Sequence, residues 1–216
     1  MGLREQKKEQ TRQLVADTAW QLFADRGFDR VTVAEIARQA QVSEATVFNY
    51  FPSKEALFYG RLDAFGERLV EAVTQREAGR SALAAFEGFL LTADGLLGRI
   101  EAGDAAALER ARTVNRLVAA SPALQAREQQ ALTRTTISLA AALAAETGAA
   151  PDDVRPHVAA HALMGVHRAV VDLVRRRLLA DDAPDRLAAD VRRAVREACA
   201  LLAHGIADGG DGRPLR

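Results

Sequence analysis

The chain has 216 residues, 49% of them apolar, enough to build a core in one large or two small domains. Lys plus Arg (29) equals Asp plus Glu (29), so bulk charge points neither to nucleic acid nor to an anionic membrane, and any electrostatic footprint must be local. The single cysteine, Cys199, excludes an intramolecular disulfide and leaves no second thiol for a thiolate metal site. No stretch approaches the roughly 20 uncharged apolar residues of a membrane span, and the polar start "MGLREQKKEQTRQ" is no signal peptide, so a cytoplasmic protein without a membrane partner is expected.

Helical periodicity runs through the chain and no apolar/polar alternation is long enough to propose a strand, which predicts an all-α fold. A first helix is expected over 10–26, with Val15, Ala19, Leu22 and Phe23 in one stripe and Gly27 as its C-terminal cap. Thr32 followed by Glu35 reads as a capping box, and Val33, Ile36, Ala37 and Ala40 continue a short second helix. Ser43 caps a third, with Val47 and Phe51 inward; Pro52-Ser53 ends it and opens a long fourth, with Phe58, Leu62, Phe65, Leu69 and Val73 on one face. Five more helices are expected at roughly 81–101, 105–120, 122–146, 153–180 and 184–204, about nine in all, followed by a tail too poor in apolar surface to pack.

Two short helices joined by the tight connection Gln41-Val42 match a helix-turn-helix, in which the second helix enters the major groove. Its core would come from Val33, Ile36, Ala37, Val42, Val47 and Phe51 with Trp20 and Phe23. Phe48, Asn49 and Tyr50 would then face outward.

These residues resemble the TetR-type bacterial transcriptional regulators. The resemblance is carried by Phe23 to Phe28, the "TVAEIA" helix, "VSEATVFNYF" and the closing "FPSKEAL", and covers residues 11 to about 60; the later "LVAASPALQAR" and the two final helices look like the family's more divergent C-terminal domain. It implies a homodimer that reads a palindromic operator in double-stranded DNA, and a repressor released by a small-molecule effector. The implied DNA contacts are Thr32, Glu44, Ala45, Thr46, Phe48, Asn49, Tyr50 and Lys54. Thr46 and Asn49 suit base edges, Glu44 a cytosine amino group, Lys54 a phosphate, and Phe48 a sugar or a thymine methyl. Arg4, Lys7, Lys8 and Arg12 would add backbone contacts. Two departures stand out: Gln41 occupies a turn position where the family commonly has glycine, and Phe48 one where many members have tyrosine.

The expected organisation is therefore a DNA-binding domain over 1–54, a helical regulatory and dimerisation domain over 55–204, and a flexible tail over 205–216. The dimer surface is expected on the last two helices, at Val158, Ala162, Gly165, Val166, Ala169 and Leu173, then Leu187, Val191, Val195, Ala198 and Leu202, as half of a four-helix bundle. A ligand pocket among the middle helices would be mainly aliphatic, with Phe65, Phe86 and Phe89 its only aromatics, and Thr92, Asn115, Thr135, Ser138 and His161 its polar candidates. His157 and His161 share a helix face but lack further ligands, and His167 points to another side, so no metal or cofactor is expected. Cys199 reads as a small buried hydrophobe, and Arg175-Arg176-Arg177 as a solvated helix end. With no Gly-rich phosphate loop or nucleophile elbow, an enzyme is not expected. The alternative is a helical adaptor without DNA recognition, which would have no salt-sensitive affinity for duplex DNA.

Overall fold

The computed structural model describes residues 2–59, 64–92, 98, 101–180 and 184–205, and these form ten helices and no strand. In chain order they are α1 (Leu3–Arg26), α2 (Val33–Gln39), α3 (Glu44–Tyr50), α4 (Lys54–Tyr59), α5 (Ala64–Thr74), α6 (Ala82–Leu90), α7 (Ala105–Ala120), α8 (Pro122–Thr147), α9 (Arg155–Leu179) and α10 (Pro184–His204). The long fourth helix expected from the sequence corresponds to α4 and α5. Its Leu62 lies outside the described residues, as does the tail beyond Gly205. No helix among the described residues is long and apolar enough to cross a membrane.

The chain divides into two units, Met1–Ala64 with Arg116–Gln130, and Phe65–Asn115 with Ala131–Arg216. In the first, α1 begins at Leu3 rather than near Gln10. Its opening residues are mostly straight-chain Leu, Arg, Glu, Gln and Lys, which lose little rotamer freedom in a helix, and the amide of Gly2 donates to the Glu5 carboxylate at 3.4 Å. Gly27 ends α1 at φ 84°, donating its amide to the Phe23 carbonyl. The inward stripe of Val15, Ala19 and Phe23 is fully buried.

An aromatic cluster forms the centre of this unit. Phe58 of α4 lies 6.2 Å from Phe23, 5.8 Å from Phe28, 6.2 Å from Trp20 and 4.9 Å from Tyr59, and Phe23 lies 5.0 Å from Phe28. Pairs at such separations contribute about 0.5–1.5 kcal/mol beyond the area they bury. A boundary at residue 54 would cut this cluster, because Leu57, Phe58 and Tyr59 are all buried. Residues 116–130, expected in the second domain, also belong here. The Tyr59 hydroxyl donates to the Leu124 carbonyl at 3.1 Å, and the buried Ser121 hydroxyl donates to Asp29 at 2.7 Å.

The second unit has its own core, in which Leu69, Val73, Phe86, Leu139, Leu163 and Met164 meet α10. Along α10, Leu187, Val191, Val195 and Cys199 recur every fourth residue and are at most 2% exposed. This corrects part of the expected dimer surface: Leu187, Val191, Val195 and Val166 pack inside their own chain. Helical periodicity reveals an apolar face but not what covers it. Val158, Gly165 and Ala169 of α9 remain exposed, while Ala162, Leu173, Ala198 and Leu202 are half-buried. Cys199 is buried as expected, and burial, followed by the charge of Glu87, pushes its thiol up to about 11.

Ion pairs tie the periphery of this unit. Arg192 grips Glu101 with a two-pronged contact at 2.5 and 2.7 Å and donates to the Leu91 carbonyl, and Arg76 pairs with Glu146. The three-arginine run is less solvated than expected, since Arg175 donates to Asn115 at 3.2 Å and Arg177 to Asp190 at 2.9 Å.

Gly66 lets α5 approach α8 closely: a Cβ there would stand 2.3 Å from the Thr135 hydroxyl oxygen, which already donates to the Ala131 carbonyl. Gly66→Ala should therefore destabilise the protein by about 1–3 kcal/mol in urea unfolding, the usual range for overpacking. Adding Thr135→Ala should recover most of that loss, and a double variant no better than the single one would remove this contact as the cause.

Candidate nucleic-acid interface

Side chains and backbone close both ends of the α2–α3 connection. Thr32 accepts the Glu35 amide at 3.2 Å, while its own amide and hydroxyl donate to the Glu35 carboxylate at 2.9 and 3.0 Å. The expected capping box is thus formed. Those Thr32 bonds, backbone first, then Arg26 and Arg38, lower the Glu35 pKa. At the other end of α2 the amide of Val42 reaches the Ala37 carbonyl (2.9 Å) and that of Gln41 the Arg38 carbonyl (3.2 Å), the paired bonds of a Schellman motif. The residue this motif places in the left-handed region is Gln41, at φ 56°. A side chain there costs about 1–2 kcal/mol relative to the right-handed conformation, and Gln41 tolerates it exposed at the surface.

Ser43 then opens α3, accepting the Thr46 amide at 3.0 Å, and its hydroxyl also bonds that of Thr46 at 2.8 Å. Val47 (0% exposed) and Phe51 (4%) are buried, as are Phe23, Ile36 and Ala37, and α3 packs on α1 and α2. Glu44, Ala45, Phe48 and Asn49 are exposed, and Thr46 and Tyr50 half-buried. The expected reading residues are therefore presented together, except that part of Thr46's hydrogen-bonding capacity is engaged in the cap. Thr32 is exposed as well, with its hydroxyl committed to the capping box.

Lys54 has an internal engagement that the sequence did not reveal. Its ammonium donates to the carbonyls of Phe28 (3.1 Å) and Val31 (3.0 Å) and lies 4.3 Å from the centre of the Phe28 ring, clamping the α1–α2 loop to α4. Arg12 stacks its guanidinium over Phe51 at 5.5 Å and pairs with Glu9, which brings the start of α1 beside the end of α3. Lys7 and Lys8 are exposed on the same helix. Basic and acidic residues are equal in number over 1–59, so this segment carries no excess positive charge.

The expected effector residues scatter over the second unit. Phe65 and Phe89 meet with ring centroids 5.3 Å apart, but Phe65 is 36% exposed and Phe86 is sealed in the core. Thr92, Ser138 and His161 are exposed; Asn115 is bonded to Ala111 and Arg175, and Thr135 to Ala131. The residue that joins Phe65 is His167, at 4.7 Å, whose buried Nδ1 has no hydrogen-bond partner among the described residues. Burial lowers its pKa from 6.5 to about 4. A cavity of about 940 Å3 lies elsewhere in the unit, lined by Leu83, Leu143, Thr147, Pro156, Ala159 and Leu163, with Asp152, Asp153 and Arg155 also on its lining. Arg155 holds the Asp153 carboxyl down at about 2. None of the expected effector residues lines this cavity, whose walls combine the 148–153 turn with Leu83, Leu143 and Leu163 from three helices. Among the described residues no group of three or more His, Cys, Asp or Glu is placed to hold a metal ion.

A capped, closed turn that presents one face of a short second helix defines a helix-turn-helix DNA-binding protein. Residues 15–59 match the family model described as bacterial regulatory proteins, tetR family, and residues 94–207 match that of the MftR C-terminal domain. The chain is 31% identical to the HTH-type transcriptional regulator TcmR of Streptomyces glaucescens over 172 residues, 78% of this chain and 75% of that protein. It is 28% identical to the putative mycofactocin biosynthesis transcriptional regulator MftR of Mycobacterium tuberculosis, over 70% of this chain and 73% of that one. The fold also matches NalD, the secondary repressor of the MexAB-OprM multidrug efflux pump in Pseudomonas aeruginosa, with a TM-score of 0.59 at 21% identity, covering 89% and 96% of the two chains. SmeT in complex with triclosan gives 0.53 at 18% identity, covering 95% and 99%. The chain belongs to the TetR family of bacterial transcriptional regulators: it is a DNA-binding regulator and not an enzyme.

Lys54→Met keeps the aliphatic stem but removes both charge-assisted hydrogen bonds, and should lower stability in urea by about 2 kcal/mol. Unchanged stability with weakened DNA binding would leave Lys54 only a phosphate contact. For His167 the folded pKa lies below the unfolded one, so the unfolded chain binds more protons between them. Its contribution to stability is complete above pH 6.5 and is lost as the pH falls toward 4. Urea titrations across that window should show a fall in stability that His167→Leu makes shallower; parallel profiles would contradict it.

Proposed function

We propose that the protein acts as a homodimer in the cytoplasm, binding a palindromic operator and repressing transcription until a small-molecule effector occupies its second unit. The observation that carries this reading is the split on α3, where Glu44, Ala45, Phe48 and Asn49 are exposed while Val47 and Phe51 are buried. Asn49 pairs with an adenine edge, Glu44 accepts from a base amino group, and Thr46 and Tyr50 complete the face. Thr32 and Lys54 serve the backbone at its margin, with Ala45 and Phe48 making apolar contact.

Dimerisation is supported by the exposed Val158, Gly165 and Ala169 of α9, whose small residues permit close helix approach. Two-fold symmetry suits a palindrome whose half-sites lie about 34–36 Å apart or a comparable offset. An effector is supported by the cavity of about 940 Å3, within the range that encloses drug-sized molecules. The triclosan complex of SmeT and the repressor role stated for NalD point the same way.

Affinity selection of genomic fragments on the purified protein, with Thr46→Ala/Asn49→Ala as control, tests this reading and requires no operator sequence at the outset. A palindrome should be enriched by the wild type alone, and its affinity should fall steeply with salt. On that operator Asn49→Ala should lose about 1–3 kcal/mol for each half-site and Tyr50→Phe about 1, with the dimer intact. Equal enrichment by wild type and control would move the protein to the adaptor class.

A further inference from the structure

We propose that the recognition face reads thymine methyl groups and adenine edges rather than guanine, so that the half-site is A·T-rich at the bases α3 covers. This rests on the DNA-binding reading and names the base chemistry it uses. The commonest specific contact to a base is Arg or Lys to guanine O6 and N7, and α3 contains neither. The nearest cations, Lys54 and Arg38 in sequence and Arg12 through its contact with Phe51, are otherwise placed. Lys54 is held by the Phe28 and Val31 carbonyls, Arg12 stacks on Phe51, and Arg38 sits in the last turn of α2, the helix that crosses the backbone.

What α3 does present is apolar. Phe48 is 49% exposed, whereas Phe23, Phe28, Phe51 and Phe58 of the same unit are all at most 6% exposed. Ala45, three residues earlier and therefore on the same helix face, is exposed as well. A phenyl ring offers no hydrogen bond to a phosphate or a base edge, and the apolar feature of the major groove is the thymine C5-methyl group, which Ala and Phe both contact favourably. Asn49 adjoins this strip with the one side chain suited to a two-bonded adenine contact.

The test uses the operator recovered by selection, synthesised with deoxyuridine in place of the half-site thymines, with 7-deazaguanine in place of the half-site guanines, or with deoxyuridine outside the half-sites only. Each is titrated against the full-length protein and its Phe48→Ala variant, with far-UV circular dichroism as the check on folding. Half-site uracil should weaken wild-type binding about four-fold for each contacted methyl, while the other two substitutions leave it unchanged. Phe48→Ala should bind the natural operator more weakly and lose most of the thymine/uracil difference. Equal binding of thymine and uracil half-sites, a loss on 7-deazaguanine, or undiminished discrimination by Phe48→Ala each overturns the inference while leaving operator binding intact. If the selection enriches no sequence, the DNA-binding reading fails and this inference fails with it.

Discussion

A seven-residue helix has almost no stability of its own in water, so α3 exists only because Val47 and Phe51 are buried. That burial fixes the rotation of the helix about its axis. Once two positions are committed inward, the 3.6-residue period turns Ala45 and Asn49 away from the core and Phe48 to its flank, while Glu44 is exposed in the opening turn. The reading face is therefore a consequence of packing, and the crowding of Phe48, Tyr50 and Phe51 resolves into different surroundings. Phe51 is an anchor, Tyr50 sits half-buried at the margin, and Phe48 is left to solvent.

The local devices around α3 hold that geometry in place. The Schellman bonds require a left-handed residue at Gln41, and the ladder of bonds from Gln41 to Arg38 and from Val42 to Ala37 outweighs the strain of placing a side chain there. The turn keeps its shape without glycine. Lys54 stitches the loop after α1 to α4 through two carbonyls and a ring face, which gives a residue with an obvious electrostatic reading a structural role as well.

The second unit illustrates how an apolar stripe can mislead. On α10, Leu187, Val191 and Val195 have the spacing of an interface, yet their burial partners are in their own chain. On α9 the same kind of stripe is divided, with Val166 inside and Val158 and Ala169 outside. Apolar side chains gathered on one side of a helix must be covered, but their spacing is the same whether the covering surface is the same molecule or another copy.

The sequence alone determined the all-α class, the capping box at Thr32, the cap at Ser43 and the inward pair on α3, because each is set by side chains within a few residues of one another. It also carried the family resemblance, which depends on those same local spacings. Only the tertiary structure assigned residues 116–130 to the first unit, moved Leu57 to Tyr59 into its core, engaged Lys54 with Phe28 and Val31, and brought His167 against Phe65. Each of these joins residues distant along the chain. Helix periodicity says which face of an element must be covered, and only packing in three dimensions decides by what.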